Sequence, residues 1–183
     1  MTTPINGSSS ISQIDLSQYD LETAMMMVQS ERANLLETQI KDQLETIQKR
    51  NQDIAKLNEL IGKLKAARPS GTDPEAWGQL SPGNASAAEG IYNDVRAAGL
   101  TMPTGGDEVN NSGNNGIYDA KQKTFDVWVE QLKGKIDSLN SSQQMDMLRM
   151  QSLTNKRNEA FDLMTNFIKK MADSRSSILG NMR

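Results

Sequence analysis

The side chains able to carry chemistry in this sequence are almost all carboxylates and amines: 23 Asp and Glu stand against 20 Lys and Arg, with no Cys and no His. Without thiols there are neither disulfides nor thiolate nucleophiles, and without imidazole the commonest metal ligand and acid–base group is missing. A pair of carboxylates could still hydrolyse a glycoside, but such a site also needs a concave cleft, usually lined by aromatic rings. Two Trp, three Tyr and three Phe scarcely line one. Lys169 and Lys170 with Arg175 and Arg183 could form a basic nucleic-acid patch, yet the pI is about 5.1 and no aromatic residue interleaves them. A solvated or dipole-compensating helix face is the simpler reading. Gly106-Asp107-Glu108 lacks the ligand spacing of a calcium loop, and no glycine-rich phosphate cradle follows a strand. These residues point to a protein that is not an enzyme, with no cofactor, no metal and no nucleic-acid partner.

The elements that would position such groups are long helices. Aromatics are 4% of the chain and hydrophobic residues 36%, while Leu, Met, Ala, Gln, Lys, Glu and Asn recur in stretches with few breakers. A net charge of −3 is too small for wholesale disorder at that hydrophobic content. The pattern predicts a first helix within residues 19–68, starting near Ser17 or Asp20 with Ser17 as its cap, interrupted only by Gly62 and stopped by Pro69. It predicts a second within 117–183, running from about Tyr118 to Leu179, with Gly134 as a soft point and Gly180 as the C-cap. Residues 69–116 read as a turn-rich acidic insert, with Pro, Gly and Asn throughout and a short helix near 86–98 stopped by Gly99. Its one basic residue, Arg96, stands against six acidic ones, Asp73, Glu75, Glu89, Asp94, Asp107 and Glu108. The insert is expected on the outside, anchored through Trp77, Ile91 and Tyr92. Residues 1–18, rich in Ser and Thr, read as a disordered segment without the pattern of a cleavable secretory signal, and no run approaches the roughly 20 apolar residues of a membrane span.

Hydrophobic spacing narrows the architecture. Ile40, Leu44, Ile47, Asn51, Ile54, Asn58 and Ile61 alternate by four and three residues, as a coiled-coil seam does. In the second helix the row is Leu132, Ile136, Leu139, Gln143, Asp146, Met150, Leu153, Arg157, Ala160, Met164, Phe167, Met171, Ser174 and Ile178. Asn51, Asn58, Gln143, Asp146 and Arg157 interrupt it. Polar residues on a seam fix register at a cost in stability, or else face solvent where the helices diverge. The fold class that follows is all-α: a long two-helix antiparallel coiled-coil hairpin with an irregular insert.

Such a layer cannot bury a wide apolar surface. Met25, Met26, Met27 and Val28 occupy nearly all sides of the first helix's start, and Leu57, Leu60 and Leu64 broaden the stripe at its end. Met145, Met147, Leu148, Met150 and Leu153 go most of the way round the second. These patches are either contacts with other chains or core covered by the insert.

At the C-terminal end the residues acquire a family likeness. Gln144-Met145-Asp146-Met147-Leu148-Arg149, then Asn155 to Phe161, then Met164 to Met171, and finally Asp173 to Ile178 with Gly180-Asn181-Met182-Arg183, closely resemble the needle-tip filament proteins of Bordetella-type type III secretion systems. The first helix is similar in pattern around Ile14-Asp15-Leu16 and Ala55-Lys56-Leu57-Asn58-Glu59. The resemblance implies a secreted protein that polymerises with itself on the bacterial surface and links the needle to the translocation pore in the host membrane. Its partners would be the needle subunit, the pore proteins and a cytoplasmic secretion chaperone. Residues 1–18 would then serve as an uncleaved secretion signal. The residues expected at the assembly interface are Met25, Met26, Phe161, Met164, Phe167, Ile168, Met171 and Ile178. The rival readings are an intracellular coiled-coil adaptor or chaperone with one defined partner, and a carboxylate hydrolase.

Overall fold

A computed structural model describes residues 20–103, 109–110 and 118–181. The expected N-terminal signal region 1–18, Ser17 and nearly all of the Asn/Gly-rich run lie outside the described residues, as does Arg183. The elements in order are α1 (Leu21–Ala67), β1 (Trp77–Gln79), α2 (Ala85–Ala97), β2 (Val109–Asn110), β3 (Asp119–Lys121) and α3 (Gln122–Asn181). The fold is the expected all-α hairpin. Arg68 pairs with Asp126, Arg50 with Asp146, and Asn51 with Gln143, so partners on α3 fall in number as those on α1 rise and the helices are antiparallel. Contacts divide the chain into two compact units, Met1–Asp42 with Met150–Arg183, and Gln43–Arg149.

Helix boundaries follow from local chemistry. Asp20 caps α1 by accepting the Thr23 N–H at 2.7 Å, and Pro69 stands one residue past Arg68, just beyond its end. Asn84 caps α2 by accepting the Ala87 N–H. At the other end Gly99 takes a left-handed φ of 66°, its N–H bonding to Arg96 O while the Leu100 N–H reaches Val95 O. This is a Schellman stop, and both Val95 and Leu100, its hydrophobic pair, are buried. The second long helix starts later than expected. Asp119–Lys121 is held as a strand between β1 and β2, in register Trp77 with Lys121 and Gln79 with Asp119, and then also Val109 with Ala120. The first amides of α3 are instead satisfied from outside the helix: Gln122 N–H by Ala76 O and Lys123 N–H by Pro74 O.

The second unit has a three-sided core. Leu60, Ile61 and Leu64 of α1 and Phe125, Trp128, Val129, Leu132 and Ile136 of α3 are roofed by Leu80, Ala88, Ile91, Val95 and Leu100. The insert is therefore not merely an outer loop: its described part completes this core. The Trp128 indole N–H donates to Thr101 O at 3.0 Å, and Gln131 both accepts the Thr101 N–H and donates to its hydroxyl. Of the three expected anchors, Ile91 is buried and Tyr92 stacks on Tyr118 with ring centroids 4.9 Å apart. Trp77 is a correction: it is 46% exposed, because alternation along β1 turns Gly78 inward, and its ring lies under the Lys121 ammonium. The apolar excess at Leu60 and Leu64 is thus core under the insert.

Two glycines give opposite expectations. A Cβ at Gly78 would lie 2.6 Å from Pro69 Cδ and 2.7 Å from Ala67 O, neither of which yields easily, so Gly78→Ala should cost about 1 to 3 kcal/mol. Gly134 lies within α3 with nothing within 4 Å of its would-be Cβ, so Gly134→Ala should gain about 0.5 to 1 kcal/mol. Denaturant unfolding of the full chain reads both signs.

A pH effect attaches to the same unit. Glu75, half-exposed, accepts from Lys121 at 2.7 Å and pairs with Lys123 at 2.9 Å. The hydrogen bond from Lys121, then that from Lys123, pulls its carboxyl from 4.5 down to about 2. A depressed carboxylate stabilises the fold fully above pH 4.5, and that share is lost as the pH falls towards about 2. The stability difference between the unaltered chain and Glu75→Gln should therefore shrink across this window, and less so in high salt, where the difference is already screened.

Candidate functional site

Within the described residues the hairpin offers no concentrated chemistry. No three acidic side chains gather to hold a metal ion among them, and no helix there is long and apolar enough to cross a membrane. A groove of about 330 Å³ between α1 and α2 is bordered by Lys63, which pairs with Glu59 at 2.8 Å and Asp94 at 3.8 Å. Asp53 and Lys56 also line it, so its charges are mixed in sign and point to no one ligand, and the functional question turns to the helix faces.

Row by row, the seam of the second helix coincides with the buried face. Every member from Leu132 to Met171 is buried or half-buried, while Ser174 and Ile178 are exposed. On α1 the true row is Met26, Gln29, Ala33, Leu36 and Ile40 in the first unit, then Gln43, Ile47, Arg50, Ile54, Leu57, Ile61 and Leu64 in the second. Three of the seven expected seam positions are therefore corrected. Leu44, Asn51 and Asn58 are exposed, one residue along from Gln43, Arg50 and Leu57. Leu44 and Asn51 fit the four-three spacing, and Gln43 and the charged Arg50 beside them carry no apolar signal. Extending the alternation backwards from Ile40 through Leu36, Ala33 and Gln29 would have found the right line.

The polar residues on these rows behave differently. Arg50 and Asp146 meet at 3.2 Å with about a fifth of each side chain exposed, though Asp146 Oδ2 makes no aligned hydrogen bond. Asn51 accepts a 2.7 Å bond from the Gln143 amide across the hairpin's edge, whereas Asn58 donates back to Ile54 O in its own helix. Arg157 lies half-buried on its row with Nε unpartnered, and Gln43 is buried with Nε2 unpartnered. A buried pair of opposite charge penalises misalignment more than it stabilises the right register.

The expected interface residues fall into two groups. Met164, Phe167 and Met171 are half-buried members of the α3 seam, and Met26 is half-buried on the α1 seam; they face the hairpin's own partner helix. Met25, Phe161, Ile168 and Ile178 point outward at 40, 45, 54 and 58% exposure. Val28, counted in the apolar excess of the first helix, joins them outside together with Leu21, Leu35 and Leu179, which the sequence did not single out, and in the second unit Met145, Met147 and Leu148 of the other expected patch are also exposed. Nothing else among the described residues covers the first unit: it is two helices and no third layer. Comparison with known protein families, curated proteins and solved structures finds no match.

The seam generates a test. Asp146→Ala alone should destabilise by about 1 to 3 kcal/mol by stranding Arg50, and Arg50→Met with Asp146→Leu should recover most of it. Asn58→Ala should change stability by no more than about 0.5 kcal/mol, because Asn58 is exposed and bonds only within its own turn. Urea midpoints of the four proteins decide it.

Proposed function

We propose that this chain is a self-polymerising structural protein, forming the filament at the tip of a type III secretion needle and linking the needle to the host-membrane pore. The observation that carries self-assembly is the first unit's outer surface. A two-helix layer leaves Leu21, Met25, Val28, Leu35, Phe161, Ile168, Ile178 and Leu179 exposed, more than single scattered apolar residues would explain. The secretion context rests on the family resemblance of the C-terminal residues, with no cofactor, the needle subunit and pore proteins as partners, and a cytoplasmic chaperone before export.

Purified chain imaged by negative stain over a concentration series should show filaments above a threshold. Truncation after Ala172 removes Ile178 and Leu179 while keeping the seam to Met171, and should abolish them. Discrete particles at every concentration, with one tightly bound partner recovered from the native host, would instead establish the adaptor reading.

A further inference from the structure

Each helix of the first unit carries a second heptad-spaced row beside the one it uses in the hairpin. On α1, Leu21, Met25, Val28, Arg32 and Leu35 succeed one another by four and three residues, and the four apolar members are 75, 40, 46 and 42% exposed. On α3 the same alternation runs Phe161, Thr165, Ile168, Ala172, Arg175 and Leu179, all exposed. Rows of this spacing accept the side chains of another helix, since their period of 3.5 keeps them facing it over several turns.

The two rows open on opposite faces. Arg32, within the α1 row, reaches Glu159 at 3.9 Å, which marks the edge of α3 that this row adjoins. Glu159 stands two residues from Phe161, about 200° round a helix of 3.6 residues per turn, so the α3 row faces the other way. Their charges also differ. Glu22 and Glu31 flank the α1 row, with Arg32 inside it already beside Glu159; Lys169 flanks the α3 row and Arg175 lies in it, near Asp20 of the same chain and against Asp162 and Asp173, so the first row is acidic and the second balanced. Two unlike patches on opposite faces make a heterologous contact, which propagates from copy to copy instead of closing into a dimer.

We infer that the α1 row of one copy packs on the α3 row of the next copy of this chain, with Glu22 and Glu31 meeting Lys169 and Arg175. This contact rests on the self-assembly reading and gives it a geometry. It is tested in the full chain with Val28→Glu, which blocks the first row, and Ile168→Glu, which blocks the second. Both positions are exposed, and unchanged circular dichroism checks the helices. Each variant alone should stay monomeric at ten times the concentration at which the unaltered chain assembles, and an equimolar mixture should give a 1:1 dimer in sedimentation velocity and go no further. Assembly of either variant alone, or a mixture that stays monomeric, overturns the contact. Charge exchange supplies a second arm: Glu31→Lys and Lys169→Glu should each raise the critical concentration about tenfold, and both in one chain should restore it. Failure of that rescue also overturns it. An unaltered chain that assembles while both row variants assemble equally well removes this contact and leaves the proposed function standing; an unaltered chain monomeric at every concentration removes both.

Discussion

A helix in a two-helix layer buries one narrow stripe, and everything else in this protein depends on where its remaining apolar side chains go. The two units answer differently. In the second, the polypeptide supplies its own third side: α2 and the segments around it lay Leu80, Ile91, Val95 and Leu100 over Leu60, Leu64, Phe125 and Trp128. Among the described residues of the first there is no such cover, and apolar side chains outside the seam are exposed.

The contrast extends to polar chemistry. The second unit satisfies its insert with directed bonds, including the Trp128 indole and both ends of the Gln131 amide on Thr101, and the two-pronged Arg68–Asp126 pair at 2.7 and 3.0 Å. Among these the Trp128 indole is fully buried, so an arrangement without its bond to Thr101 would leave a buried donor unmet. The first unit is held by Ala33, Leu36, Leu153 and Ala160 and an ion pair at 3.9 Å, while unpartnered buried polar atoms occur in both units, Gln29 Oε1 and Arg157 Nε in the first and Gln43 Nε2 in the second. Burial per residue is smaller in the first unit, so its opening free energy is expected to be the lower of the two.

Much of this was legible in residues alone. Pro69, Gly99 and the long breaker-free runs set the helix limits to within a few residues, because backbone restriction acts locally. The α3 row was readable since its interruptions are isolated between strong apolar positions. The α1 row was not, because Gln43 and Arg50 on the seam look less suitable than Leu44 and Asn51 beside it; only Asp146, 96 residues away in sequence by position 146 against 50, makes Arg50 acceptable there. The strand Asp119–Lys121 was hidden for the same reason: its pairing with Trp77–Gln79 is non-local, and three residues show no period. Among the interface residues, sequence identified apolar excess but not its direction, which is why Phe167 and Ile168, adjacent in the chain, were grouped although one faces the seam and the other solvent.

The central claim is that the outer rows of the first unit are covered by other copies of the chain. Hydroxyl-radical footprinting of the full chain, compared below and above its assembly threshold, reads this at single side chains. Oxidation of Met25, Phe161 and Leu179 should fall several-fold on assembly while that of Trp77 stays constant. Equal oxidation of those three in both states, or protection confined to Trp77, would contradict the account.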